Sequence, residues 1–162
     1  MKVLGIDPGT AACGYGIVHG SGGRLKAVEF GWWQTPARER PELRLKQIHD
    51  AIAELIERHE PEAVVLEESF VGADARTALS VGQARGAVLV AAAEAGLACA
   101  EHAPARVKQT VCGYGRAEKA QMQRMVKLIL GLDEEPRNSH EADAFAVAIC
   151  HALGSPLVGA VQ

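Results

Sequence analysis

The chain opens with MKVLGIDPGT (residues 1–10), a short apolar run that ends in an aspartate, a proline and a glycine. Because side chains alternate along a strand, Val3, Gly5 and Asp7 share one face. The run is apolar on both faces, which indicates a central, buried strand, and Pro8-Gly9 ends it with turn chemistry. The sequence therefore predicts a carboxylate, Asp7, at the carboxyl end of a core strand, where ligand sites in open α/β sheets lie.

The rest of the chain predicts a mixed α/β sheet with helices on its faces. A glycine-rich turn at 20–23 joins two β-prone runs, so the first three strands should form an antiparallel meander. Asn138 with Glu141 resembles a capping box at the start of the last helix. Gly82 and Gly86 give the second helix a small-residue surface suited to packing against a second subunit. The expected strands are 2–7, 13–18, 25–34, 63–66 and 97–100, and the expected helices are 41–60, 74–95, 104–111, 118–130 and 138–153.

Length and composition are those of one globular domain. The 162 residues are 48% hydrophobic and 23% charged, and we expect a single domain over 1–154 with a loose tail over 155–162. No uninterrupted apolar stretch matches a membrane span and the N-terminus has no signal-peptide pattern, so a cytoplasmic location is expected. Four scattered cysteines without a CxxC pair indicate neither a zinc site nor a disulfide framework.

Charge is distributed unevenly along the chain. The formal net charge is −3, which by itself argues against nucleic-acid binding. Residues 103–132, however, carry six basic residues and one acid, whereas residues 39–68 carry nine acids and four basic residues. This asymmetry indicates a local basic footprint for nucleic acid, with a solvated helix face as the alternative.

Further acidic residues are placed to join Asp7. Glu67 also ends a buried strand, and the two carboxylates lie side by side if the strands are adjacent and parallel; Glu68 faces the opposite way. His140 and Asp143 are three residues apart and share a helix face. Clustered carboxylates raise one another's pKa, and divalent cations that activate water for phosphodiester hydrolysis resolve the repulsion. Taken singly, each residue also fits an ordinary turn, surface or first-turn helix position.

Five stretches of the chain resemble the RuvC family of bacterial crossover junction endodeoxyribonucleases, the Holliday junction resolvases of the ribonuclease H-like superfamily. They occur in the family's order and span nearly the whole chain. The stretches are GIDPGT (5–10), VLEESF (65–70), ALSVGQARG (78–86), VKQTVCGYGRAEKAQ (107–121) and EADAFAVAICH (141–151). The resemblance implies a ribonuclease H-like fold, with a mixed sheet of three antiparallel strands followed by parallel strands.

The resemblance also implies a metal-dependent endonuclease that makes symmetric paired nicks in four-way DNA junctions during recombination and repair. Two divalent cations, Mg²⁺ or Mn²⁺, would serve a hydrolysis that leaves 5′-phosphate and 3′-hydroxyl ends. The catalytic and metal-binding positions map to Asp7, Glu67, His140 and Asp143. His140 departs from the best-known pattern, which has aspartate there. It is a metal ligand or a general base, and its imidazole favours Mn²⁺.

The same resemblance assigns DNA contacts and partners. Phe70 would stack on a base at the junction centre, and Lys108 and Lys119 would contact phosphates near the cut. Arg76, at the start of the second helix, is expected to add a DNA contact, whereas Trp32-Trp33 is expected to serve packing. The family further implies a homodimer, a short T-rich cleavage sequence and cooperation with the RuvA–RuvB branch-migration machinery.

Two other functions remain open from the sequence. A junction-binding protein without catalysis would result if His140 marks a decayed site. An actin-like nucleotide phosphatase would share GIDPGT, but it normally needs a longer, two-lobed chain with a second phosphate loop.

Overall fold

A mixed five-stranded sheet forms the centre of the computed structural model, which describes residues 1–68 and 74–154. The strand order is β3-β2-β1-β4-β5. β1, β2 and β3 are antiparallel neighbours, and β4 and β5 run parallel to β1, so the predicted sheet is confirmed. The strands are β1 Lys2–Asp7, β2 Ala12–Ser21, β3 Arg24–Gln34, β4 Ala63–Glu67 and β5 Cys99–His102. The helices are α1 Pro41–His59, α2 Ala75–Glu94, α3 Pro104–Cys112, α4 Lys119–Leu130 and α5 Ser139–Gly154.

The largest differences from the predicted strand boundaries lie at the β2–β3 turn and in β5. The β2–β3 hairpin continues to Ser21, which pairs with Arg24, so the turn is shorter than the glycine-rich stretch suggested. β5 begins two residues later than expected, because Leu97 belongs to the end of α2. Its N–H donates to the Ala92 carbonyl at 2.9 Å. This shift places His102 at the carboxyl end of β5.

The helices form two layers around the sheet. The buried residues of α5 pack with Val3 and Val65 on one face, and α1 and α2 pack on the opposite face against residues such as Leu4 and Leu66. α5 lies close to β1 and β2 because Gly5 leaves room for it; a Cβ at that position would lie 2.9 Å from Ala148 Cβ. α5 is therefore a core helix whose first turn is held against the sheet.

Two expectations about the whole chain lie partly outside what the structure describes. No helix within the described residues is long and apolar enough to cross a membrane. A single domain over 1–154 stays a prediction, and the tail expected over 155–162 lies outside the described residues.

Candidate active site

Five residues lie side by side across one end of the sheet, on the face that α5 covers. Asp7 pairs with Gly14 and Gly14 with Trp32, while Glu67 pairs with His102. Ile6 pairs with Leu66, so Asp7 and Glu67 end neighbouring parallel strands. We call Trp32, Gly14, Asp7, Glu67 and His102 the strand-end row.

The first turn of α5 lies over this row. The Asn138 side chain accepts from the His140 N–H at 2.9 Å, and the Glu141 carboxylate accepts from the Asn138 N–H at 3.2 Å. This reciprocal pair is the predicted capping box, and it fixes where the helix begins. Gly14 permits the close approach, since a Cβ there would lie 2.7 Å from His140 Cβ and closer still to the His140 carbonyl group.

His140 and Asp143 project from this turn toward the strand ends. His140 Nδ1 lies 2.6 Å from Asp7 Oδ2. A carboxylate only accepts, so Nδ1 is the donor and Nε2 is the nitrogen left for another partner. Asp143, one turn later, pairs with Lys119 at 3.2 Å from Oδ2 to Nζ. We call Asp7, Glu67, His140 and Asp143 the acidic cluster.

The electrostatics of the acidic cluster favour a bound cation. Loss of hydration raises the pKa of the Glu67 carboxyl, and repulsion by Asp143 and Asp7 raises it further, although Lys108 and Lys119 oppose the shift. Burial likewise raises the pKa of Asp143, although Lys119 opposes the shift. The folded protein thus holds Glu67 and Asp143 in surroundings that disfavour their charged forms, in spite of the neighbouring lysines.

The donor set fits a divalent metal ion, but its side chains are engaged with other groups. Three carboxylates and one imidazole are ligands of Mg²⁺ and Mn²⁺ sites. Within the described ranges, no three acidic, histidine or cysteine side chains stand close enough together to hold an ion. His140 is turned to Asp7 and Asp143 to Lys119, so the side chains of the cluster have to rearrange before they can hold one ion together.

The other predicted residues are placed unequally. The charges of Lys108 and Lys119 both lower the pKa of Glu67, against the upward shift from its other surroundings. Arg76 is exposed in the first turn of α2 and, among the described residues, its side chain has no hydrogen bond or ion pair to the strand-end row. The Glu68 side chain is exposed, and its N–H donates to the His102 carbonyl at 2.9 Å. Phe70 lies outside the described residues.

The sequence reasoning missed two residues beside the site, His102 and Arg85, and assigned Trp32 to packing. His102 became visible only once the two-residue shift of β5 was known, and it hydrogen-bonds His151 at 3.1 Å. Arg85 lay inside the ALSVGQARG stretch but was not singled out. The packing expected for both tryptophans holds for Trp33, whose ring lies 5.2 Å from that of Tyr15. Trp32 is 40% exposed because β3 is an edge strand.

Comparisons with known proteins agree with this architecture. A family model described as crossover junction endodeoxyribonuclease RuvC matches residues 3–151. The crossover junction endodeoxyribonuclease RuvC of Moorella thermoacetica is 53% identical over 156 residues, which are 96% of this chain and 93% of that protein. That of Chloroflexus aggregans is 49% identical over 156 residues, which are 96% of this chain and 95% of that protein.

Solved structures give the same result. Thermus thermophilus RuvC in complex with a Holliday junction substrate superposes with a TM-score of 0.90 at 42% identity, covering 94% of this chain and 93% of that one. The yeast mitochondrial Holliday junction resolvase Ydc2, 15% identical, shares the fold with a TM-score of 0.58 over 93% of this chain and 77% of that one. The expected ribonuclease H-like fold is confirmed.

Proposed function

The chain belongs to the RuvC family of crossover junction endodeoxyribonucleases, and we propose that it cuts four-way DNA junctions at the acidic cluster. The observation that carries this proposal is the placement of Asp7 and Glu67 on neighbouring parallel strand ends, beneath the first turn of α5. That turn brings His140 and Asp143 to the same end of the sheet. A set of carboxylates at this edge suits the hydrolysis of a phosphodiester.

We further propose that the acidic cluster holds two divalent cations, Mg²⁺ or Mn²⁺. RuvC-family nucleases depend on metal ions. When bound, the ions supply charge stabilisation for the scissile phosphate and lower the pKa of the attacking water. The raised pKa values of Glu67 and Asp143 support the proposal, because both carboxylates gain from a nearby cation. The imidazole of His140 favours Mn²⁺ over Mg²⁺ compared with an all-carboxylate site.

The residues of the acidic cluster have distinct roles in this scheme. Asp7, Glu67 and Asp143 offer oxygen ligands. Because Asp7 accepts from Nδ1 of His140, Nε2 is the atom that binds an ion or takes the proton of the attacking water. The water oxygen forms a bond to phosphorus as the bond from phosphorus to the 3′ oxygen breaks. The products are a 5′-phosphate and a 3′-hydroxyl.

Basic and aromatic residues around the cluster are proposed to hold the DNA. Lys108 and Lys119 lie close enough to Glu67 to influence its pKa, so each can neutralise a phosphate next to the cut. Lys119 would leave Asp143 for the phosphate when the junction binds. We propose Phe70 as the stacking residue from the family resemblance, and Arg76 as an additional contact from its place at the start of α2.

A homodimer is proposed through α2, because two symmetric cuts require two equivalent sites. The helix presents an apolar face at helical spacing, on which Leu79 is 65%, Val90 52% and Leu89 41% exposed. Gly82 and Gly86 lie within this face, and a Cβ at either position would meet nothing within 4 Å. A second copy of α2 can therefore approach closely and cover the exposed leucine and valine side chains.

Two further proposals rest on the sequence and its family resemblance. They are cooperation with the RuvA–RuvB branch-migration complex and a cytoplasmic location, where such a complex would be met.

The proposal is tested by incubating a labelled synthetic four-way junction with Mg²⁺, Mn²⁺ or EDTA. Asp7→Asn is the test variant, and Asp50→Asn, an exposed carboxylate on α1, is the matched control. We expect symmetric nicks that DNA ligase reseals, made by the wild type and the control but absent in EDTA and in Asp7→Asn. Junction binding without cuts in any metal would indicate a non-catalytic binding protein. Metal-dependent ATP hydrolysis without DNA would favour a nucleotide phosphatase.

A further inference from the structure

One arginine on α2 joins the ends of two strands beside the site. Arg85 Nη1 donates to the main-chain carbonyl of Glu67 at 2.7 Å, and Nη2 donates to Glu101 Oε1 at 2.5 Å. The Arg85 side chain is 12% exposed, whereas that of Glu101 is 42% exposed. Arg85 is thus a nearly buried cation whose two partners lie on β4 and β5.

The carbonyl that Arg85 holds belongs to the residue that carries the carboxylate. Glu67 is the last residue of β4, and one ladder bond follows it, from the Glu68 N–H to the His102 carbonyl. A strand end frays unless its last peptide groups are fixed. The guanidinium is a rigid planar fork, so one side chain fixes the Glu67 peptide group relative to β5 and α2 together.

A second contact ties α2 to the other catalytic strand. The Ser80 hydroxyl on α2 hydrogen-bonds the Thr10 hydroxyl, in the loop that follows Asp7. One helix is therefore bonded to the segment after Asp7 and to the peptide of Glu67. α2 therefore adds to the pairing of β1 with β4 in setting the relative position of these two carboxylates.

We propose that Arg85 is a positioning residue, which holds the Glu67 carboxylate at the distance from Asp7 that ion binding needs. The inference rests on the proposed function in that Glu67 is taken as a metal ligand. Displacing a reacting group by about 1 Å costs roughly 10²-fold in rate. Releasing one of the tethers on Glu67 should therefore lower cleavage by about 10-fold or more and weaken ion binding, while leaving the DNA-contacting lysines in place.

The test compares Arg85→Met with Arg85→Lys and with a control, Arg58→Met. Arg58 also pairs with a glutamate, Glu29 at 2.9 Å, and its side chain is 50% exposed on α1. Mn²⁺ binding is measured by electron paramagnetic resonance without DNA, and amide hydrogen exchange is followed in a peptide covering 63–68. Junction affinity, single-turnover cleavage and the melting temperature are measured on the same preparations.

We expect Arg85→Met to weaken Mn²⁺ binding by about threefold or more and to speed exchange of the Glu68 amide, with junction affinity unchanged. Arg85→Lys should recover part of both, because an ammonium group reaches one acceptor but cannot hold two in a fixed fork. Arg58→Met should change neither. If Arg85→Met only lowers the melting temperature, with Mn²⁺ binding and exchange like those of Arg58→Met, the positioning role is wrong.

The proposal can still be tested if Arg85→Met does not fold or if the wild type does not cut DNA. If Arg85→Met fails to fold, Mn²⁺ binding is measured in Arg85→Lys and Glu101→Gln instead. Each of these variants weakens the contacts of Arg85 with Glu67 and Glu101 but keeps most of the packing. Unchanged Mn²⁺ binding in both would overturn the proposal. Neither Mn²⁺ binding nor hydrogen exchange needs a junction. A wild type that binds Mn²⁺ but never cuts would therefore contradict the proposed function and leave the role of Arg85 to be decided by these two measurements.

Discussion

Gly14→Ala should displace the first turn of α5 without replacing any side chain of the acidic cluster. The new Cβ would lie 2.7 Å from His140 Cβ and closer still to the His140 carbonyl group, whereas ordinary contacts lie at 3.4–4 Å, so the first turn of α5 must retreat by at least 0.7 Å. The obstructing atoms are the His140 main chain and Cβ, so no change of rotamer relieves the contact. A displacement near 1 Å predicts a loss of about 10²-fold in cleavage rate. Overpacking should cost about 1–3 kcal/mol of stability.

The assay is single-turnover cleavage of a labelled four-way junction at saturating protein, with junction affinity and thermal melting measured in parallel. Gly20→Ala is the matched control, because it makes the same change in the same strand. Its Cβ would meet the end of the Leu25 side chain at 3.1 Å, and that flexible side chain can turn away. We expect Gly20→Ala to cut like the wild type, and Gly14→Ala to bind junctions but cut poorly. A folded Gly14→Ala protein that cuts as fast as Gly20→Ala would refute the reasoning.

Three other predictions concern charge, metal choice and assembly. Loss of hydration and neighbouring carboxylates raise the pKa of Glu67 in the folded state, so stability falls as pH rises through that raised pKa. Glu67→Gln should therefore raise the melting temperature of the metal-free protein at neutral pH. The increase should vanish near about pH 4, where the glutamate is protonated in the folded and the unfolded protein alike. An equal increase in melting temperature at both pH values would contradict the prediction. His140→Asp should lower the ratio of Mn²⁺-supported to Mg²⁺-supported cleavage, and an unchanged ratio would remove the role given to the imidazole. Val90→Glu should yield monomers in sedimentation velocity, whereas Glu94→Gln, at the exposed end of α2, should not.

The positions of the candidate site residues in the fold were predictable where local chemistry decides the structure. The runs ending in Asp7 and Glu67 are short, apolar and rich in β-branched residues, which favours strands. Asn138 with Glu141 caps α5 through contacts between residues two and three apart. Contacts between distant segments were not predictable in the same way. The pairing of Lys119 with Asp143 depends on how α4 packs beside α5.

Strand order and helix ends account for the remaining differences. The exposure of Trp32 follows from β3 being the edge of the sheet, a property of the assembled strand order. β5 was predicted two residues too early because Leu97 is apolar and is followed by the apolar Ala98, a pattern typical of the start of a strand. The Leu97 N–H instead completes the end of α2.

The contacts of His140 with Asp7 and of Lys119 with Asp143 give both carboxylates a partner from the protein itself. Small zinc-binding domains unfold when a chelator removes the metal, because metal binding supplies much of their folding free energy. Here two carboxylates already have partners from within the chain, and the core beneath them is apolar and buried. Folding and ion loading are thus separate events. We therefore expect the protein to stay folded when EDTA removes its ions, and to cut only when ions and DNA are both present.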